Sequence, residues 1–278
     1  MIVDKTGEGL LLGRQVPVSE RYSPQLLFPI SRSQARDQLG LDGQALPFTG
    51  MDIWHAYELS WLDENGRPVS WVGRFYIPAN SRYLVESKSF KLYLNSLNNE
   101  RLASAEAARE LICADVSHCA GAPVSLELLS VEASGLTGQP LPGQCLDHLH
   151  ACYKDEAPVA SMLVPGQDER TQRRGMSVHT HLLRSLCPVT GQPDWASVWI
   201  DMRGGVLDKC SLLHYLLCYR NHQEFHEQCV ERIFRDIQQV CEPSELHVQA
   251  FYTRRGGLDI TPFRSTGQRQ PLPRMNRQ

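Results

Sequence analysis

From Trp54 to Pro78 the chain alternates bulky and polar residues on either side of Asn65-Gly66, a period-two pattern that predicts a long two-stranded hairpin. The period then lengthens. Phe90, Leu94 and Leu97 recur at helical spacing, and a second helix is expected in "SAEAARELICADV", with Ser104 as its N-cap. The stretch "APVSLELLSVE" returns to strand alternation. The same order recurs in the second half. "MSVHTHLLRSL" and "WASVWIDM" read as strands, "DKCSLLHYLLCYRN" and "FHEQCVERIFRDIQQV" as helices, and "ELHVQAFYTRR" and "LDITPFRS" as closing strands. The chain therefore reads as two ββααβ repeats of an α+β fold. A first module spans residues 1–135, a linker with surface loops 136–175, and a second module 176–278.

Composition narrows the class. The 278 residues are 42% hydrophobic and 21% charged, as in a soluble globular protein with a sizeable core. A net charge of −3 gives no general reason to bind nucleic acid or an anionic membrane, although Arg254, Arg255, Arg264 and Arg269 make the C-terminal region locally basic. No apolar run is long enough for a membrane span and no secretory leader is evident, so a cytoplasmic location is expected. Nine cysteines, an odd number, argue against a disulfide framework, and most are expected to be reduced and buried.

Cys187 stands apart from the other thiols. It lies where a strand pattern gives way to Pro188, Gly191 and Pro193, so it is expected on a loop that presents its side chain. Cys210, Cys218, Cys229 and Cys241 fall inside amphipathic helices, where cysteine acts as a small hydrophobe. A nucleophilic thiolate needs an acid or base beside it, and Asp194 is the local candidate, although an Asp before a strand also serves as a turn residue. His226 and Glu227 open a helix. They either decorate its first turn or grip the polar edge of a purine-like ring, whose N–H groups a carboxylate can accept. Val85, Glu86, Ser87, Lys88 and Lys91 lie at another helix start, which suits either a phosphate or ordinary capping. "CLDHLHAC", from Cys145 to Cys152, matches no common zinc spacing and reads as a strand end, so no metal is expected there. The glycines at 7, 9 and 13 have the wrong spacing for a dinucleotide fingerprint, and no second histidine completes a zinc-protease motif after His226-Glu227.

Taken together, "ESKSFKLY" at 86–93, "CPVTGQPDW" at 187–195 and "FHE" at 225–227 resemble the NADPH-dependent 7-cyano-7-deazaguanine reductases in their long, two-module form. "DIWHAYELSWL" at 52–62 and "FYTRRGGLDITPFRS" at 251–265 extend the resemblance over nearly the whole chain. It implies tandem tunnelling-fold (T-fold) modules, each an antiparallel sheet with a helix pair on one face, assembled as a homodimer.

It also implies the chemistry, the reduction of the nitrile of 7-cyano-7-deazaguanine to 7-aminomethyl-7-deazaguanine with two NADPH, in queuosine biosynthesis. Cys187 is then the nucleophile that forms a thioimide, and Asp194 the proton donor. Val85, Glu86, Ser87, His226 and Glu227 hold the deazaguanine, and Ser87, Lys88, Arg255 and Gly256 contact the cofactor. Two other readings stay open on the residues: a metal-dependent, cyclohydrolase-like enzyme of the same fold, and a catalytically silent scaffold.

Overall fold

The computed structural model describes residues 21–41, 45–167 and 175–278; the glycine stretch at Gly7, Gly9 and Gly13 lies outside these residues. The elements run β1 (Pro29–Ser31), α1 (Ser33–Gln38), β2 (Thr49–Leu62), β3 (Pro68–Pro78), β4 (Tyr83–Val85), α2 (Ser87–Asn95), α3 (Ala105–Ala120) and β5 (Ser125–Leu129). They continue with β6 (Gln144–Cys145), β7 (Met176–Leu186), β8 (Pro193–Arg203), α4 (Lys209–Leu217), α5 (His226–Cys241), β9 (Glu245–Tyr252) and β10 (Leu258–Ser265). The fold is α+β with predominantly antiparallel pairing. Among the described residues no helix is long and apolar enough to cross a membrane.

The chain divides into two units. The first comprises Met1–Gln44, Met51–Leu136 and Arg254–Ile260, and the second Ala45–Gly50, Thr137–Thr253 and Thr261–Gln278. In the first unit, β2 and β3 form the hairpin expected around Asn65-Gly66, and β5 adds antiparallel to β3. The Asp63 carboxylate closes the turn by accepting from the Asn65 and Arg67 backbone N–H groups at 3.0 and 2.9 Å. Ser104 caps α3 as its position suggests, its hydroxyl accepting from the Ala107 N–H at 3.1 Å. The apolar face of α2 meets the hairpin through Phe90, which packs edge-on against Trp54 and Phe75 with ring centroids 5.3 and 5.0 Å away. Asp115 of α3 accepts hydrogen bonds from the Tyr22 and Tyr93 hydroxyls at 2.7 and 2.6 Å, which places the polar ends of both rings.

The second unit repeats this order with β7, β8, α4, α5 and β9. Its strands lie in the order β10-β9-β8-β7-β6, antiparallel except for the parallel β6–β7 pair. Both hairpins share an irregularity, a register shift between Ala56 and Leu59 in β2 and between Thr180 and Leu183 in β7. The two helices of the second unit bury nearly every apolar side chain they carry, and the buried hydroxyl of Tyr215 on α4 donates to Asp236 on α5 at 2.7 Å.

One ion pair in this unit is almost completely withdrawn from water. Arg264 of β10 and Glu231 of α5 meet at 2.8 Å, with side-chain exposures of 0% and 2%. Removing one partner leaves an uncompensated buried charge, so Glu231→Gln is expected to cost about 3–5 kcal/mol in urea unfolding. The apolar double replacement Glu231→Leu with Arg264→Met should recover most of that loss, because it buries no charge at all.

Candidate active site

The second unit holds Cys187, Asp194, His226 and Glu227. Cys187 directly follows β7, and its N–H donates to the Gln192 carbonyl while its own carbonyl accepts from the Gly191 N–H, both at 2.9 Å. Residues 188–191 therefore form a closed hairpin loop, and Gly191 supplies the left-handed backbone, at φ 67°, that such a loop needs before the chain re-enters the sheet. The register then sets which side chains share a face. Ser185 pairs with Asp194, so these two side chains share a face, and period-two alternation places Cys187 on the face of Ser185.

His226, the first residue of α5, brings its Nε2 to 3.3 Å from an Asp194 carboxylate oxygen. Its ring stacks on Tyr252 of β9 at 3.8 Å between centroids and 17° between planes. Tyr252 is wholly buried, and that burial, reinforced by the neighbouring Cys229 thiol, pushes its hydroxyl well above its ordinary pKa, so it stays a neutral platform. Glu227 is buried in the first turn of the same helix, where a carboxylate meets the positive end of the helix dipole.

Burial separates the thiols differently from their sequence positions. Cys187 is only 6% exposed, so it is packed rather than presented: the hairpin bonds hold its side chain inward. Cys210, expected to be buried in its helix, is exposed, because it occupies the solvent side of the first turn of α4. Cys218 and Cys229 are buried as expected, and Cys241 is half-buried. All nine thiols are free. Burial pushes Cys229 well above the ordinary thiol range, and Cys119 up to about 11, which keeps both protonated and unreactive.

The first unit carries the remaining candidates. Glu86 is the N-cap of α2, and its two carboxylate oxygens accept from the Lys88 and Ser89 backbone N–H groups at 2.8 and 2.7 Å. Burial nonetheless pushes its carboxyl above the ordinary range, against the lowering effect of those two bonds. Val85 is buried, and Ser87 and Lys88 are half-buried at the start of the helix. Arg255 and Leu258 exchange backbone hydrogen bonds at 2.9 and 3.1 Å, which leaves Arg255 and Gly256 exposed at a tight turn. A Cβ on Gly256 would lie 3.5 Å from the Lys91 side chain, so this turn sits against α2 just beyond Lys88. Beside it, the Arg254 guanidinium lies 3.3 Å above the Tyr57 ring, and the Tyr57 hydroxyl donates to Asp259.

Two features here were not evident from the sequence. The segment 222–224 pairs with the strand end that carries the thiol, since Leu186 donates to the His222 carbonyl at 2.9 Å and accepts from the Glu224 N–H at 3.2 Å. Glu224 is anchored in turn by Arg232 at 2.6 Å and His222 at 3.1 Å. The second feature concerns "CLDHLHAC". Its His148, His150 and Cys152 are exposed and do not gather round Cys145, which instead meets His179 and His181 of β7.

Residues 18–128 match the family described as "Nitrile reductase, 7-cyano-7-deazaguanine-reductase N-term", and residues 193–271 the one described as "QueF-like protein". The NADPH-dependent 7-cyano-7-deazaguanine reductase of Chromohalobacter salexigens is 49% identical over 271 residues, 97% of this chain and 96% of its own. Proteins of the same name from Stenotrophomonas maltophilia and Dechloromonas aromatica are 52% and 48% identical, each over 92% of this chain and over 92% and 90% of their own.

Glu224 makes the support of the thiol testable by pH. Burial alone pushes its carboxyl up, but the hydrogen bonds from His222 and Arg232 prevail and hold it below the ordinary range. A depressed carboxyl contributes stability above its unfolded pKa, and that contribution is lost as the pH falls through the folded value. Glu224→Gln is therefore expected to lose about 1–3 kcal/mol at pH 7. The gap to wild type should narrow below about pH 4 in thermal or urea melts across pH.

Proposed function

This chain belongs to the NADPH-dependent 7-cyano-7-deazaguanine reductases, and from that membership and the site geometry we propose how its residues convert a nitrile to an amine. As a member of that family it is an NADPH-dependent oxidoreductase that reduces 7-cyano-7-deazaguanine, a step in queuosine biosynthesis. We assign the nucleophile to Cys187. Its thiolate adds to the nitrile carbon, forming a C–S bond as one C–N π bond gives its electrons to nitrogen, and Asp194 delivers a proton to that nitrogen. The product of addition is a thioimide. NADPH supplies two hydrides per nitrile: once the first reaches the thioimide carbon the C–S bond breaks, Cys187 leaves as thiolate and an imine remains, and the second takes that imine to the aminomethyl group.

The single observation that carries this assignment is the shared face of Cys187 and Asp194 on one closed hairpin, with His226 at 3.3 Å from the carboxylate. His226 orients the acid and is placed to replenish its proton. The burial of Cys187 suits a covalent intermediate that water must not reach. Glu227 and Glu86 are the proposed acceptors for the N–H groups of the base, and Val85, Ser87 and His226 are proposed as its further contacts. Glu86 keeps capacity for this role although it caps α2, because each carboxylate oxygen has a second lone pair.

The exposed Arg255-Gly256 turn against α2 fits the cofactor. Lys91, which pairs with Glu58 at 3.1 Å, lies against Gly256, and Arg254 and Arg255 flank the turn, so these cations are the proposed partners of an anionic pyrophosphate and a 2′-phosphate, with Lys88 one turn earlier on α2. The two ββααβ units, each with a register shift in the first strand of its hairpin, support a reading as tandem T-fold modules. We propose that the protein works as a cytoplasmic homodimer on the free base, in keeping with a net charge of −3.

Three forms of the enzyme, wild type and two variants, test the chemistry. Wild-type enzyme given 7-cyano-7-deazaguanine without NADPH should gain the mass of the intact nitrile, because addition expels nothing. Cys187→Ala should bind the base, gain no mass and reduce nothing, whereas Asp194→Asn should bind but form the adduct about 10²–10⁴-fold more slowly. An unmodified wild-type mass under saturating nitrile removes the thioimide, and full-rate adduct in Asp194→Asn transfers the proton-donor role to His226. For recognition, Glu227→Ala should weaken nitrile binding by about 1–3 kcal/mol, read by calorimetry. Unchanged affinity would reduce Glu227 to a helix-start residue.

A further inference from the structure

The second unit carries a set of donor atoms that the chemistry above does not use. His179 and His181 are two residues apart on β7, so the pleat turns both side chains to one face, with ring centroids 5.2 Å apart. Beside them the parallel partner β6 pairs Cys145 with His179. Gly143 makes this approach close, since a Cβ there would stand 2.4 Å from the Ser177 carbonyl oxygen. As a result the Cys145 sulfur and one ring nitrogen from each histidine all lie within 4.8 Å of one another.

The surroundings fix the histidines as ligands require. His179 Nδ1 lies 2.9 Å from the Pro142 carbonyl oxygen, which can only accept, so the proton sits on Nδ1 and the lone pair is left on Nε2. His181 Nδ1 is held at 2.8 Å by the hydroxyl of Ser197, which is wholly buried. Outer partners of this kind set the tautomer and the ring angle of metal-bound imidazoles. Tetrahedral zinc, with bonds of about 2.0–2.3 Å, separates its ligand atoms by about 3.3–3.8 Å, so modest side-chain rotations close the cluster around an ion.

We propose that Cys145, His179 and His181 form a binding site for a divalent transition-metal ion, zinc(II) fitting best, with water in the fourth position. One thiolate and two imidazoles suit a borderline-soft ion, whereas magnesium and calcium take oxygen ligands. Cys145 binds as thiolate and gives its proton to solvent. The ion clips the two-residue strand β6 to β7. It plays no part in nitrile addition, because neither Cys187 nor Asp194 belongs to the cluster.

The test is an anaerobic titration of the full chain with cobalt(II) followed by zinc(II). One equivalent of cobalt should give tetrahedral d–d absorption and a thiolate-to-cobalt charge-transfer band, release one proton, and be displaced by one equivalent of zinc. Cys145→Ser should lose the charge-transfer band, and His179→Gln should bind cobalt more than about 10-fold more weakly. Cys152→Ser and His150→Gln should titrate like wild type, and near-ultraviolet circular dichroism checks that each variant folds. The proposal is overturned if wild type shows no charge-transfer band in excess cobalt, or if Cys145→Ser keeps it. Should Cys145→Ser fail to fold, unchanged affinity in His179→Gln overturns it equally. Nitrile reduction is assayed separately and should persist in Cys145→Ser, so failure of the metal site leaves the nitrile chemistry standing.

Discussion

The contact between Glu231 and Arg264 is the constraint on which the second unit turns. A guanidinium with no exposed surface is tolerable only where a carboxylate and further acceptors meet it, and here the carboxylate comes from the middle of α5 and the cation from β10. A sliding or rotated α5 would strand both charges in a dry interior, so the helix has one permitted seat. Its first turn is then fixed as well, and with it His226 over Tyr252 and Glu227 in the protein interior. A salt bridge further along α5 thereby sets the position of the imidazole beside Asp194.

A second layer of support acts on the thiol itself. Leu186, the last residue of β7, is bonded through both of its backbone groups to the segment 222–224, and Glu224 locks that segment to Arg232 of α5. Strand end and helix start are thus held by the same helix. The sulfur and the imidazole are located relative to one frame rather than to two independent loops, which is the condition the proposed proton transfer requires.

How much of this could be read from the residues depends on the range of the interaction involved. The hairpin about Asn65-Gly66, the Ser104 cap and the order of strands and helices are local in origin, and they appear where period and turn chemistry put them. Cys187 and Asp194 stood out because proline and glycine mark a turn. The direction of the Cys187 side chain did not, since it depends on bonds across the loop. Contacts between distant segments left no trace in any short window. The stacking of His226 on Tyr252, the Glu224–Arg232 pair and the meeting of Cys145 with His179 and His181 all arise from strand pairing and helix packing. "CLDHLHAC" has no zinc spacing of its own, and the histidines that come near Cys145 belong to the neighbouring strand.

The closed hairpin at Cys187 has a consequence for how this site can vary. Because Cys187 and Asp194 share a face only through a period of two, the number of residues between them carries as much information as their identity. One residue added to or lost from the loop, with the pairing shifted to match, would turn Asp194 to the opposite side of the sheet and separate the sulfur from its proposed acid. The composition of residues 188–191 is free to drift wherever the turn tolerates it. Their number is not, and under the proposed chemistry loop length is a catalytic parameter.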